Sequence, residues 1–164
     1  MASTIHNPGP TPVVPADAAL VRWAWSLLGF LLVQNILGMG LSLYVTLPSS
    51  VTFTRIFVTT PLLTAHVVLG FLLVVMAALF LVRVRSTAIR GLGWRAALVL
   101  LFVLVALQEG FAFVFTGNNV FSYGMDIGFV LAVSFQVSVL LRAAQAAADG
   151  ARGTTAREGP SASG

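Results

Sequence analysis

Apolar residues fall into four long runs, at about 22–46, 61–84, 96–116 and 122–142, separated by shorter polar or proline-bearing stretches. A run of about 20 apolar residues, rising 1.5 Å per residue, matches the roughly 30 Å hydrocarbon core of a bilayer. No proline interrupts any run. The pattern predicts an all-α protein, an antiparallel four-helix transmembrane bundle.

The helix boundaries are punctuated accordingly. Pro48 follows the first run, where a helix should already have ended. Thr59 and Thr60 precede Pro61, a capping residue followed by proline at the first helical position. Thr116-Gly117-Asn118-Asn119 is a tight connection that makes the third and fourth spans antiparallel neighbours. The stretch 47–60 fits two patterns: Phe53, Ile56 and Phe57 suit a short interfacial helix, whereas Val51-Thr52-Phe53-Thr54 alternates like a strand. Residues 1–19 carry Pro8, Pro10, Pro12 and Pro15 and read as an unstructured tail. They lack the basic start of a secretory signal, so the first run reads as a true span. The membrane domain is expected over 20–145, with the fourth helix continuing a turn or two past its span and 146–164 forming a second unstructured tail.

Composition narrows the chemistry. The chain has 164 residues, 58% hydrophobic and 9% charged, where soluble domains average about 25% charged. With no cysteine there is no disulfide, thiolate metal site or thiol redox chemistry. All basic residues are arginine, which excludes a lysine Schiff base and with it a retinal protein. The net charge of +4 reflects topology rather than nucleic-acid binding. Arg22, Arg83, Arg85, Arg90, Arg95, Arg142, Arg152 and Arg157 fall on one side of the spans and only Arg55 on the other. That bias predicts both termini and the middle loop in the cytoplasm of a multi-pass cell-membrane protein. Trp23, Trp25 and Trp94 then mark the cytoplasmic interface, Tyr44 and Tyr123 the outer one.

Lipid provides no hydrophobic drive for helix association, so close packing depends on small residues. Gly124, Gly128 and Ala132 form a ridge at four-residue spacing, as do Gly38 and Ser42, while Gly70 and Ala77 serve the second span. Interhelical packing is the expected use of these residues. The alternatives are room for a flat ligand or for a second copy of the chain.

Polar groups in hydrocarbon mark function more often than apolar ones. A centred acidic group costs about 2.5–3.5 kcal/mol on insertion scales, so such groups usually face the bundle interior. The candidates are Gln34 and Asn35, His66, Gln108 and Glu109, and Asp126 and Gln136. Measured from the outer helix ends at 1.5 Å per residue, His66, Asp126 and Glu109 lie roughly 6–10 Å deep and Asn35 about 16 Å. The shared depth groups His66, Glu109, Asn35 and Asp126 as a proton- or ligand-binding set. Glu109 pairs with His66 in this reading, or stays neutral and hydrogen-bonds to Asn35, Gln108 or His66. No cofactor is expected. A haem b is the lesser reading, with His66 as one axial ligand, Gly70 leaving room for the macrocycle, and Met39 or Met125 as the second ligand. One histidine with two carboxylates is too thin a set for zinc, so no metal is expected. No serine or threonine sits in a nucleophile-elbow context.

The segment Gln34-Asn35-Ile36-Leu37-Gly38-Met39-Gly40-Leu41-Ser42-Leu43-Tyr44-Val45-Thr46-Leu47-Pro48, His66 with Gly70, and the group Gly110, Phe111, Ser122, Met125, Gly128 and Phe129 together resemble a small family of four-span membrane proteins of high-GC bacteria. Ser42 stands where that family has asparagine. The resemblance covers all four spans through short apolar motifs. It implies a fold and a membrane setting, not an activity.

The primary expectation is an accessory or structural subunit that packs against a larger membrane complex or against itself. The alternative is an outer-side protein that binds or translocates a proton, a cation or a small ligand through His66 and Glu109. A haem-bearing electron carrier comes third.

Overall fold

The computed structural model describes residues 18–44 and 60–157. Four helices account for nearly all of them: α1 Ala18–Tyr44, α2 Pro61–Arg85, α3 Leu92–Thr116 and α4 Asn119–Arg157. Each contains a segment long and apolar enough to cross a membrane. The tail 1–17, the connection 45–59 with its helix-or-strand alternatives, and residues 158–164 lie outside the described residues.

Local chemistry sets the boundaries. Pro61 occupies the start of α2 after Thr60, where its missing N–H is no loss. α3 begins after Gly91 at φ 78° and ends at Gly117 at φ 65°, the left-handed region that a side chain disfavours. The Gly117 amide donates to the Phe113 carbonyl at 2.8 Å. One residue on, Asn118 Oδ1 accepts from the Val120 amide at 3.0 Å and so caps α4. This turn folds α3 and α4 into the most extensive helix pair of the bundle. α4 runs beyond the expected span, and residues 146–157, anticipated as tail, are helical. Hydropathy falls after Arg142, but the alanine-rich stretch that follows retains high helix propensity.

Each helix packs on two neighbours, in the cyclic order α1, α2, α3, α4. The end carrying the Gly117 turn is here the turn end; the opposite end, with Arg22, Arg83, Arg85, Arg95 and Arg142, is the arginine end. The arginine half is filled. Leu20, Ala24 and Leu27 meet Ala77, Phe80 and Val84, Ala96 and Val99, and Ala132, Val139 and Ala143, all essentially without exposure. Phe135 stacks on Phe102 at 5.7 Å between ring centroids and makes a T-shaped contact with Trp94 at 6.1 Å. The outward faces are apolar as well: Val68, Val75, Leu79, Val82, Leu101 and Val130 are exposed, as suits a lipid-facing surface.

Candidate functional site

The buried stripe of α1 steps through Leu20, Ala24, Leu27, Leu31 and Gln34. Gln34 therefore faces the bundle interior and is 2% exposed. Its amide nitrogen donates to the His66 carbonyl on α2 at 3.0 Å and lies 3.2 Å from His66 Nε2. Two glycines make this contact sterically feasible. A Cβ at Gly38 would come within 3.1 Å of His66 Cε1, and one at Gly70 within 3.3 Å of Gln34 Nε2. Each helix thus carries a polar residue followed four positions later by glycine, and each polar side chain lies over the other helix's glycine. That spacing puts residue and glycine on one helix face.

Beside this pair is a cavity of about 380 Å³ in the turn half of the bundle, bounded by all four helices. Gln34, Gly38, His66 and Gly70 form one side of it, and α4 adds the polar residues Asn119 and Ser122. Leu73, Val103, Ala106 and Phe129 close it toward the arginine half, and Leu41, Leu63, Val114 and Gly117 line it toward the turn end. Phe111, from the wall, stands 5.9 Å from the Phe71 ring and 6.4 Å from that of Phe115. Phe71 and Phe115 are exposed on the outside of the bundle. A row of phenylalanines therefore connects the cavity wall to the outer surface along α2 and α3.

Of the four residues grouped by depth, only His66 reaches this cavity. Asn35 is exposed, because one residue along a helix turns a side chain by about 100° from Gln34. Asp126 and Gln108 are exposed too. Glu109 is half-buried against α4: its carboxylate oxygen Oε2 would lie 2.8 Å from a Cβ at Gly124. Glu109 is not among the residues lining the cavity, whereas His66 is. Common depth along four helices did not produce a common site because facing depends on rotation. Among the described residues no three His, Asp or Glu side chains are placed to hold a metal ion. Of the methionines considered beside His66, Met125 lines the cavity and Met39 is 57% exposed.

The small residues are consumed inside the chain. Gly124 receives Glu109, and Gly128 lies against the Ala106 backbone. Ala132 is fully buried. The Ser42 side chain falls outside the described residues. Gln34 is the site member that depth alone passed over; its signal was the glycine four residues on, in phase with the buried stripe. Comparison with protein-family models, with curated proteins and with solved structures gave no match.

Proposed function

We propose that this membrane protein holds a small lipophilic molecule in the outer half of its bundle. The arginine distribution supports an orientation with the arginine end in the cytoplasm and the turn end, with its cavity, outside. The observation that carries the reading is the cavity itself. Protein interiors are normally close-packed, and the arginine half of this bundle is. A space of about 380 Å³ falls within the range of small-molecule sites, roughly 300–1,000 Å³. Its walls are mainly apolar, with polar side chains at Gln34 and His66 on one side and Ser122 and Asn119 on α4, the usual division between bulk affinity and orientation. The Gly110, Phe111, Ser122, Met125 and Phe129 side of the sequence resemblance lies on the same wall.

This reading is favoured over a subunit or self-associating bundle because the Gly124-Gly128-Ala132 ridge faces inward. It is favoured over a His66–Glu109 proton or cation site because the two side chains serve different surfaces.

The test compares wild type with Val67→Phe, which adds bulk to the half-buried cavity wall. Native mass spectrometry from mild detergent should show a retained small molecule on the wild type and none on the variant, with similar thermal midpoints. An absorption spectrum of the same sample reads whether that occupant is a haem. If wild type carries nothing, and no lipophilic compound raises its midpoint more than that of Val67→Phe, the reading is wrong.

A further inference from the structure

The Gln34–His66 contact leaves two hydrogen-bonding atoms unused, and they are of opposite kind. A backbone carbonyl only accepts, so the 3.0 Å contact with His66 O fixes which end of the Gln34 amide faces α2: the NH2 group. The same nitrogen then approaches His66 Nε2 as a donor, at 3.2 Å. With Nε2 accepting, the tautomer that fits this contact carries its proton on Nδ1. Nδ1–H is a donor without a partner, and Gln34 Oε1 is an acceptor without one; both atoms are buried. As placed, both atoms are closed off from solvent and from the cavity alike; their side chains border the cavity, so a partner from that space reaches them only when one of the two side chains turns.

Resting on the reading of that cavity as a ligand site, we infer that the ligand carries a hydroxyl group: it is a lipophilic phenol or lipid alcohol. A hydroxyl is the simplest group that both donates and accepts. It can answer Nδ1–H with its oxygen and Gln34 Oε1 with its hydrogen, after a small adjustment of either side chain. An ether or ketone accepts only and leaves Oε1 unpaired; a hydrocarbon serves neither. The rest of the wall suits the body of such a molecule, with Phe111 and Phe129 as flat apolar surfaces. The exposed Phe71 and Phe115 beside Phe111 extend that surface to the lipid, where a compound of this class would be dissolved.

The probes are 4-propylphenol and its methyl ether, 4-propylanisole, titrated into the full-length protein in detergent micelles and followed by calorimetry. The comparison protein is Gln34→Met, which nearly keeps the volume and removes the acceptor together with the donor that faces His66. The phenol-to-ether affinity ratio is compared between proteins, so partition into micelles cancels. In wild type that ratio should exceed the ratio in Gln34→Met by about tenfold, the scale of one buried group left unpaired. Equal ratios in the two proteins, with both compounds competing against Val67→Phe-sensitive binding, would overturn the hydroxyl inference and leave the cavity reading intact. Absence of binding by either compound, together with no occupant on the wild type, would overturn both.

Discussion

The two halves of the bundle are built from the same kinds of residue and differ in what those residues enclose. In the arginine half, Gln136 on α4 donates to the Ala24 carbonyl on α1 at 2.8 Å and is fully buried among Leu, Val, Phe and Ala. In the turn half, Gln34 on α1 donates to the His66 carbonyl on α2 at 3.0 Å and borders a cavity. Each glutamine ties one helix to the backbone of the next, and each leaves its Oε1 without a partner. Of the two, Gln34 lines the cavity, whereas Gln136 is enclosed by close-packed apolar side chains. The difference separates a fastening from a site: one polar group closes a seam, and the same group beside a void can also recognise a ligand.

The largest expected effect tests whether stability resides in the filled half. Phe80 is among the largest fully buried side chains and sits in that half. Phe111 is half-buried and borders the cavity. Phe80→Ala should destabilise by about 3 kcal/mol, since the void it opens is sealed by close-packed neighbours. Phe111→Ala should lose about 1 kcal/mol, because its ring already has an empty side. Unfolding titrations in mixed micelles measure both. Equal losses would mean that the turn half is as tightly packed as the arginine half.

A smaller effect separates two glycines of one ridge. A Cβ at Gly128 would lie 3.2 Å from Ala106 N and Cβ and 3.3 Å from its Cα. Backbone cannot retreat without moving α3, so Gly128→Ala should cost about 1–2 kcal/mol. A Cβ at Gly124 would meet Glu109 Oε2, Cδ and Cγ at 2.8–3.1 Å. That side chain can swing aside, and alanine gains up to about 1 kcal/mol of helix propensity. Gly124→Ala should therefore stay within about 0.5 kcal/mol of wild type by the same titration. A large loss at Gly124 would make Glu109 a fixed element of the α3–α4 seam.

Run length and punctuation made the architecture legible. Four apolar stretches, Pro61 and the Thr116-Gly117-Asn118-Asn119 turn predict the helices and the antiparallel α3–α4 pair that the structure contains. The site was legible only in part, and the obstacle is physical. In water, the contrast between polar and apolar faces shows which way a helix turns. Here Val68, Val75 and Leu79 face outward and are as apolar as Leu73, Ala77 and Phe80 facing inward, so periodicity carries little information about rotation. Depth along the axis singled out His66 and also Asn35, Glu109 and Asp126, which turn elsewhere. The residual signal lay in polar–glycine pairs four residues apart, Gln34 with Gly38 and His66 with Gly70, because a bulky side chain needs a small residue opposite it.

The smallest effect bears most directly on the comparison of the two glutamines. Gln136→Leu removes one hydrogen bond to Ala24 O, worth about 1 kcal/mol, and also removes an unpaired buried acceptor whose desolvation costs at least as much. Leucine is apolar and similar in size, and the Ala24 carbonyl sits within α1, where the helix supplies it with a backbone N–H donor. The net change should lie within about 1 kcal/mol of zero, in the stabilising direction, with ligand binding untouched. Gln34→Leu removes the equivalent bond but strands His66 Nε2 as a further unpaired group, so it should destabilise by about 1 kcal/mol and lose discrimination for the hydroxyl. Paired unfolding titrations, run with and without 4-propylphenol, separate the two substitutions. If Gln136→Leu proved the more harmful and phenol stabilised both variants alike, the glutamines would be interchangeable fastenings, and the hollow half would have no chemical distinction from the filled one.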